Sequence, residues 1–450
     1  MPPRRFLDRL RRRGVRRTPG QVALDVAPAL PERDVDRVRA VVADLFRLHD
    51  TMTQRAEAAA VADAYLTLSD EGRRNFLRML AREFWTDPAA VDDAVRVLRL
   101  ADADDRRAAE RRLRDALAPK ADHLLRLFTG LDGGVKFLVD LRADGLRLDR
   151  TDPALTDLDR ELKAHLATLF DVGLLTLRRM TWDAPAAQLE KLIEYEAVHA
   201  IRSWDDLKNR LDSDRRCYAF FHPAMPNEPL VFVEIALTTG IATELAPLLD
   251  ARAPELEPES ADTAVFYSIS NCQPGLAGVN LGTALIKQVV EALRLDLAQL
   301  HTFVTLSPIP GFHAWCEREL GAPDADQALR PRERALLPAE PARVLARLAD
   351  TEWDVDEAVR PAVLALAARY LTTVHEGRAL DPVANFHLSN GARVERVNWM
   401  ADPSVTGRAR SYGVMANYLY EADRISERAE AYAARGEVAV SAAVRELVAE

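Results

Sequence analysis

An α+β fold is predicted for this chain, with a helical N-terminal bundle followed by a domain built on a mixed sheet. Three observations carry the prediction. From about Asp34 to Phe170, apolar residues recur at helical spacing, as in Val38, Val41, Val42, Leu45, Phe46 and Leu48. After Trp182 the texture changes, and β-rich segments appear at Cys217–His222, Leu230–Leu237, Val265–Ile269, Phe303–Leu306, Val383–Leu388 and Val394–Met400, several of them separated by helices. Between Ala264 and Phe312 an apolar strand, a glycine-rich loop, a helix, a second strand and a Ser-Pro turn follow in order. The domain boundaries that result are a basic arm over 1–20, a helical domain over 21–170 and a sheet domain over 171–450.

Within the helical half, the breaks fall at Ser69-Asp70, Thr86-Asp87-Pro88, Pro119 and Gly130–Gly134, polar or Gly/Pro clusters that cap or end helices. His49, His123 and His165 lie in helical stretches without paired ligands, so packing or assembly is the expected role of this half. A further helical insert is expected between Ala325 and His375.

The 450 residues, 48% hydrophobic, suffice for two or three cores. No apolar run approaches the roughly 20 residues of a membrane span. A net charge of −10 argues against general nucleic-acid binding. The arm, with Arg4, Arg5, Arg9, Arg11, Arg12, Arg13, Arg16 and Arg17, is the local exception and reads as a solvated segment; Asp8 and a lack of serine count against a transit peptide. Cys217, Cys272 and Cys316 show no metal-ligand spacing, which fits free thiols in the cytoplasm. Packing is the expected duty of Cys272, although it borders the glycine loop.

The loop GLAGVNLG begins at Gly275 and opens a helix that carries Leu281, Leu285, Val289 and Leu293 on one face. Free N–H groups and a partial positive charge at such an opening suit a pyrophosphate. The spacing is neither a Walker loop nor the GxGxxG fingerprint, so nucleoside triphosphate and NAD lose weight. In ANFHLSNGARVERVNWMAD, Asn390-Gly391 reads as a type I′ hairpin turn, which would put Asn385 and His387 on one strand face. In LSPIPGF, Ser307 follows a strand; Pro308 favours an extended backbone there, helix N-capping is its ordinary alternative, and no GxSxG elbow surrounds it.

Together these segments resemble the malonyl-CoA decarboxylase family. The matching words are EYEAVHAIRSWDDLKNRL from Glu194, RRCYAFFHP from Arg215, EPLVFVEIALT from Glu228, FYSIS from Phe266, GLAGVNLGT from Gly275, LSPIPGF from Leu306, PVANFHLSNGA from Pro382, NWMAD from Asn398 and MANYLY from Met415. The helical half is similar in length and character only. The resemblance implies a helical oligomerisation domain, a homotetramer built as a dimer of dimers, and an acyl-CoA-binding catalytic domain with the GCN5-related acetyltransferase fold. It implies decarboxylation of malonyl-CoA to acetyl-CoA and CO2 in fatty acid and malonate metabolism. Ser307 is implied as proton acceptor and His387 as proton donor. Substrate contacts are implied at Ala277, Gly278, Val279, Asn280, Leu281, Gly282 and Thr283, with Tyr420 near the acyl group. Asn280 departs from the family, whose members carry glutamate there. Asparagine keeps hydrogen bonding and loses the charge.

The implied reaction needs no metal and no organic cofactor, since the thioester carbonyl accepts the electrons left by CO2 as an enolate, and the CoA ester is itself the substrate. An imidazole of roughly pKa 6.5 would suit proton delivery by His387 near neutral pH. The other readings of the residues are a CoA-dependent acyltransferase and a non-catalytic acyl-CoA sensor or assembly subunit.

Overall fold

The computed structural model describes residues 24–148, 151–279, 281–322, 324–348 and 357–449. The arginine-rich arm therefore lies outside the described residues. The expected order is found: a helical region, then a domain on a mixed sheet. The chain forms two compact units. One comprises the residues up to Leu175 with two later returns, His222–Glu228 and Gln273–Asn280; the other comprises Thr176–Phe221, Pro229–Cys272 and Leu281–Glu450.

The first unit contains helices α1 (Glu32–Leu45), α2 (Thr51–Thr67), α3 (Asp70–Glu83), α4 (Pro88–Leu100), α5 (Arg106–Leu117), α6 (Lys120–Thr129), α7 (Gly134–Leu148) and α8 (Pro153–Leu169). Their starts follow local chemistry. The Ser69 hydroxyl accepts from Gly72 N–H at α3, while Asp87 and Asp152 accept from backbone N–H groups at α4 and α8, each just before a proline that needs no partner for a missing N–H. Edge-on aromatic pairs fill the core, with Tyr65 and Phe76 ring centroids 5.0 Å apart and Phe128 and Phe137 4.9 Å apart. The phenol of buried Tyr65 donates to Asp144 at 3.0 Å, and Arg73 bonds the same carboxylate at 2.9 Å. His165 meets Thr129 Oγ1 at 2.8 Å, a packing duty of the kind the sequence suggests.

The second unit is built on a sheet of strands β1 (Thr176–Met180), β2 (Arg215–Phe221), β3 (Val231–Thr238), β4 (Thr263–Asn271), β5 (Thr302–Thr305), β6 (Ser307–Pro308), β9 (Arg393–Asn398) and β10 (Met415–Leu419); β7 (Val374–His375) and β8 (Arg378–Ala379) form a separate small pair. The spatial order is β1-β2-β3-β4-β5-β10-β6, with β9 also on β10. All pairings are antiparallel except β4 with β5, which helix α12 (Gly282–Asp296) connects. Numbering helices in chain order makes α9 Ala186–Tyr195, α10 Trp204–Arg210, α11 Ala246–Leu249, α13 Phe312–Gly321, α14 Ala325–Ala328, α15 Pro331–Leu336, α16 Pro341–Leu348 and α17 Arg360–Thr372. Strands β2 and β3 are buried on both faces, and so read as continuous apolar runs. Cys217 and Cys272 are core residues among Met180, Leu192, Phe221 and Phe232. The expected helical face Leu281, Leu285, Val289 and Leu293 is buried.

One buried polar network interrupts this apolar interior. Glu196 accepts from the Ser268 and Ser270 hydroxyls and from the N–H groups of Val198 and His199, while Arg210 joins Asp206 at 2.9 Å to Glu234 at 2.8 Å. Each carboxylate has partners, which makes its burial tolerable.

The hairpin expected at Asn390-Gly391 is not formed. Residues Pro382–Ser389 are helix α18, and the β-rich reading of Val383–Leu388 is corrected with it. Asp381 caps the helix through Ala384 N–H at 2.7 Å, and Pro382 fits its first turn. Gly391, at φ +80°, supplies the left-handed residue that ends it: its N–H bonds Leu388 O and the Ala392 N–H reaches back to His387 O, both at 3.0 Å. Positive φ at an Asn-Gly pair serves a helix end as well as a hairpin. The helices α19 (Val405–Ser411), α20 (Ile425–Arg435) and α21 (Ala442–Val448) complete the unit.

A Cβ on Gly391 would lie 2.0 Å from Ile425 O. Gly391→Ala is therefore expected to destabilise this unit by at least ~2 kcal/mol, combining the left-handed penalty with the clash. Urea unfolding checks this, and a loss below ~0.5 kcal/mol would contradict the cap.

Candidate active site

Ser307 and His387, 80 positions apart, meet where the sheet is locally broken. Strand β10 pairs with β5 through Leu419 and Val304, then with β6 through Ala416 and Ser307 and through Met415 and Pro308. Between these stretches side chains replace the backbone ladder. Thr305 Oγ1 accepts from Tyr418 N–H at 3.1 Å, and the Asn417 amide donates to Thr305 O at 2.7 Å. On the other side of β10, its register with β9 shifts between Asn417 and Tyr418. An irregularity of this kind re-aims side chains. Here Tyr418 in β10 and Tyr420, the residue after its end, both meet His387. Ser307 caps no helix, because α13 starts at Phe312 with Gly311 as its N-cap.

Helix α18 delivers His387 from the facing side, on its buried face with Ala384 and Leu388. The helix packs against the opening of α12, where a Cβ on Gly282 would come within 2.5 Å of the Phe386 ring. His387 is 3% exposed. Its Nε2 lies 3.1 Å from Ser307 Oγ and its Nδ1 lies 2.8 Å from the Tyr420 hydroxyl, while the Tyr418 ring stacks on the imidazole at a centroid distance of 4.4 Å.

Proton positions follow from counting donors. The Ser307 hydroxyl donates to Thr305 Oγ1 at 2.9 Å, so its one proton is committed. The contact with His387 then needs a proton on Nε2, and Nδ1 of the neutral ring accepts from the Tyr420 phenol. Burial favours this assignment twice. It pushes the Tyr420 phenol well above its usual range, keeping it a donor, and it pushes the imidazole down to about 3. The expectation of an unperturbed imidazole near neutral pH is therefore corrected: in the free site the ring is neutral.

Asp381 holds this histidine's helix from its start. Its second carboxylate oxygen is buried with no hydrogen-bond partner among the described residues, and burial raises its pKa to about 7. Thr305, Tyr418 and Asp381 were not singled out from the sequence, although the alternation of tyrosines in MANYLY and the Asp-Pro pair before ANFH were available signals.

The loop glycines divide in their duties. Gly275 belongs to the first unit, where a Cβ would overlap Val139 O at 1.8 Å, and Gly278 adopts φ +75°. Close packing against protein thus selects glycine at 275, and a left-handed backbone favours it at 278. Arg142, buried on α7, donates to the carbonyls of Gly275 at 2.7 Å and Ala277 at 2.8 Å and is held by Asp159 at 2.8 Å. Val279 continues the turn by donating to Leu276 O. Leu281 and Gly282 belong to the second unit, at the head of α12. Asn280 lies outside the described residues, and of Thr283 only the helical backbone is described.

Comparison with known proteins gives a consistent result. The family model for the malonyl-CoA decarboxylase C-terminal domain matches residues 173–450, and that for the N-terminal domain matches residues 84–170. The chain is 37% identical over 403 residues to malonyl-CoA decarboxylase, mitochondrial, of Anser anser anser, covering 84% of this chain and 80% of the relative. The protein of the same name from Rattus norvegicus is 37% identical over 404 residues, covering 84% and 82%. Crystal structures of malonyl-CoA decarboxylase from Rhodopseudomonas palustris (TM-score 0.83, 40% identity, 92% and 99% covered) and from Agrobacterium vitis (TM-score 0.84, 40% identity, 92% and 100% covered) share the architecture. The chain belongs to the malonyl-CoA decarboxylase family.

Proposed function

We propose that this chain decarboxylates malonyl-CoA to acetyl-CoA and CO2 through a thioester enolate, with Ser307 and His387 as the catalytic pair. The observation that carries the reading is the 3.1 Å contact between Ser307 Oγ and His387 Nε2 in a sealed site that also holds the Tyr420 hydroxyl.

The chemistry sets three demands. The carboxylate must leave from a conformation out of the carbonyl plane, the oxygen of the enolate needs donors, and the α-carbon must gain a proton. Each donor of this kind is worth about 3–4 kcal/mol of barrier, and backbone N–H groups of the Ser307 turn are our assignment for that role. Each turnover consumes one proton, because a carboxylate is replaced by neutral CO2 and a C–H bond.

A neutral imidazole cannot supply that proton alone. The malonyl carboxylate brings a negative charge beside His387, which favours the imidazolium, so the ring takes up a proton as substrate binds. When CO2 departs, the charge passes to the enolate, and Nε2 returns the proton to the α-carbon, directly or through the Ser307 hydroxyl. The thioester carbonyl is the electron sink, so the scheme calls on no metal and no organic cofactor. Tyr420 fixes the ring orientation through Nδ1. The loop Ala277–Thr283 is read as a CoA contact. A tetramer made of two dimers through the helical domain, and a cytoplasmic location suited to three buried free cysteines, complete the proposal; the two vertebrate relatives above carry mitochondrial in their names.

Incubated with malonyl-CoA alone in heavy water, the protein is expected to release acetyl-CoA carrying solvent deuterium on its methyl group, read by mass spectrometry. His387→Gln should lower kcat by about 10²–10⁴-fold while leaving the melting temperature near wild type at pH 7. Acetyl-CoA without deuterium, or undiminished turnover by the variant, would overturn the assigned proton path.

Stability should report the neutral ring independently. Between pH 6.5 and 3 the unfolded chain protonates this histidine and the folded chain does not, so wild type loses stability as pH falls through that window. The total is on the order of 4–5 kcal/mol, spread across the window at about 1.4 kcal/mol per pH unit. His387→Gln lacks this loss, and parallel urea midpoints for the two proteins from pH 7 to 4 would refute burial of a neutral imidazole.

A further inference from the structure

The glycine loop has a cation beside it that no step above uses. Helix α8 carries Asp159 and Lys163 four residues apart, hence on one face. Asp159 is engaged by Arg142, whose remaining hydrogen bonds occupy the carbonyls of Gly275 and Ala277. Arg142 is 3% exposed, so this clamp is a fixed part of the unit. Two carbonyls of the loop are thereby taken, which lowers the negative potential that its backbone presents. The Gly278 N–H has no hydrogen-bond partner among the described residues.

Lys163 stands at the same point. A Cβ placed on Gly278 would lie 3.0 Å from Lys163 Nζ and 3.2 Å from its Cε. The ammonium makes no hydrogen bond or ion pair among the described residues, and its residue is solvent-exposed. A free cation, a free N–H and a glycine without a side chain to shield either form a small anion-binding corner. Its charge and its reach suit a phosphate group.

We propose that Lys163 and the Gly278 N–H bind a phosphate of the CoA ester, with Arg142 as the positioning residue that presents the loop. This rests on the malonyl-CoA reading above and adds Lys163 to the residues read as substrate contacts. The role is uniform binding of a remote group, so it belongs in KM and not in kcat.

The test compares Lys163→Met with wild type on two thioesters, malonyl-CoA and malonyl-N-acetylcysteamine, the second bearing the same acyl group without any phosphate. With malonyl-CoA the variant should show KM raised about tenfold and kcat within about twofold, as expected for loss of one charge-assisted contact. With the phosphate-free thioester its kcat/KM should equal that of wild type. Lys163→Arg should recover most of the lost affinity. Equal losses on both thioesters, or an unchanged KM for malonyl-CoA, would overturn the proposal. If wild type turns over neither thioester, the malonyl-CoA reading fails instead, and calorimetric binding of CoA still decides the lysine: about tenfold weaker binding to the variant supports it, and equal binding refutes it.

Discussion

An imidazole sealed from water with no charged partner stays neutral and must find a hydrogen bond for each ring nitrogen. That constraint organises the candidate site. Tyr420 serves Nδ1 and Ser307 serves Nε2, while Thr305 Oγ1 accepts the Ser307 hydroxyl's hydrogen bond and so fixes the direction of the whole chain of bonds. A neutral resting ring also explains how a buried site can wait for an anionic substrate without holding a charge of its own. In the proposed mechanism the substrate carboxylate supplies the field that charges the ring, and the loss of CO2 removes the carboxylate when the proton is needed.

The scaffold pays for this arrangement by giving up regular ladder bonds between β5 and β10. Tyr418 N–H turns to a side-chain oxygen and Thr305 O is satisfied by the Asn417 amide, so these two backbone groups keep partners at the break. The same break directs two tyrosines at one histidine. Helix α18 is held at both ends by local chemistry, Asp381 at its start and Gly391 at its finish, and the ring contact with α12 and the Tyr432 hydroxyl bond to Asn385 fix it from the side, so the position of His387 depends on all of these. Rigid presentation by short elements suits a reaction in which the carboxylate and the proton donor must keep a fixed geometry.

Much of this was legible in the residues. Apolar runs marked β2 to β5 because both faces of those strands are buried, and serine or aspartate before helical spacing marked the starts of α3 and α4. Strand β1 was missed because its side chains are largely exposed and it carries two arginines, leaving no apolar run. Helix α18 was mistaken for a strand because Asn390-Gly391 signals positive φ without saying whether a hairpin or a helix end needs it; the deciding partner, Ala392 N–H to His387 O, is a contact and not a residue type. Ser307 and His387 were singled out through their sequence motifs and the fold brings them into contact, but the neutral state of the ring could not be read from the motifs, since it depends on burial. Lys163 was invisible for a similar reason: 115 positions separate it from Gly278, and an exposed helical lysine has no signature until its neighbour is known.

The proton inventory of His387 tests the account most directly. Nitrogen-15 NMR of histidine-labelled protein at pH 7, with His387→Gln to assign the signal, would be recorded free and with a thioether analogue of malonyl-CoA that keeps the carboxylate and cannot lose CO2. The account predicts a neutral ring protonated on Nε2 in the free protein and an imidazolium in the complex. An imidazolium already present in the free protein, or a ring that stays neutral in the complex, would contradict it.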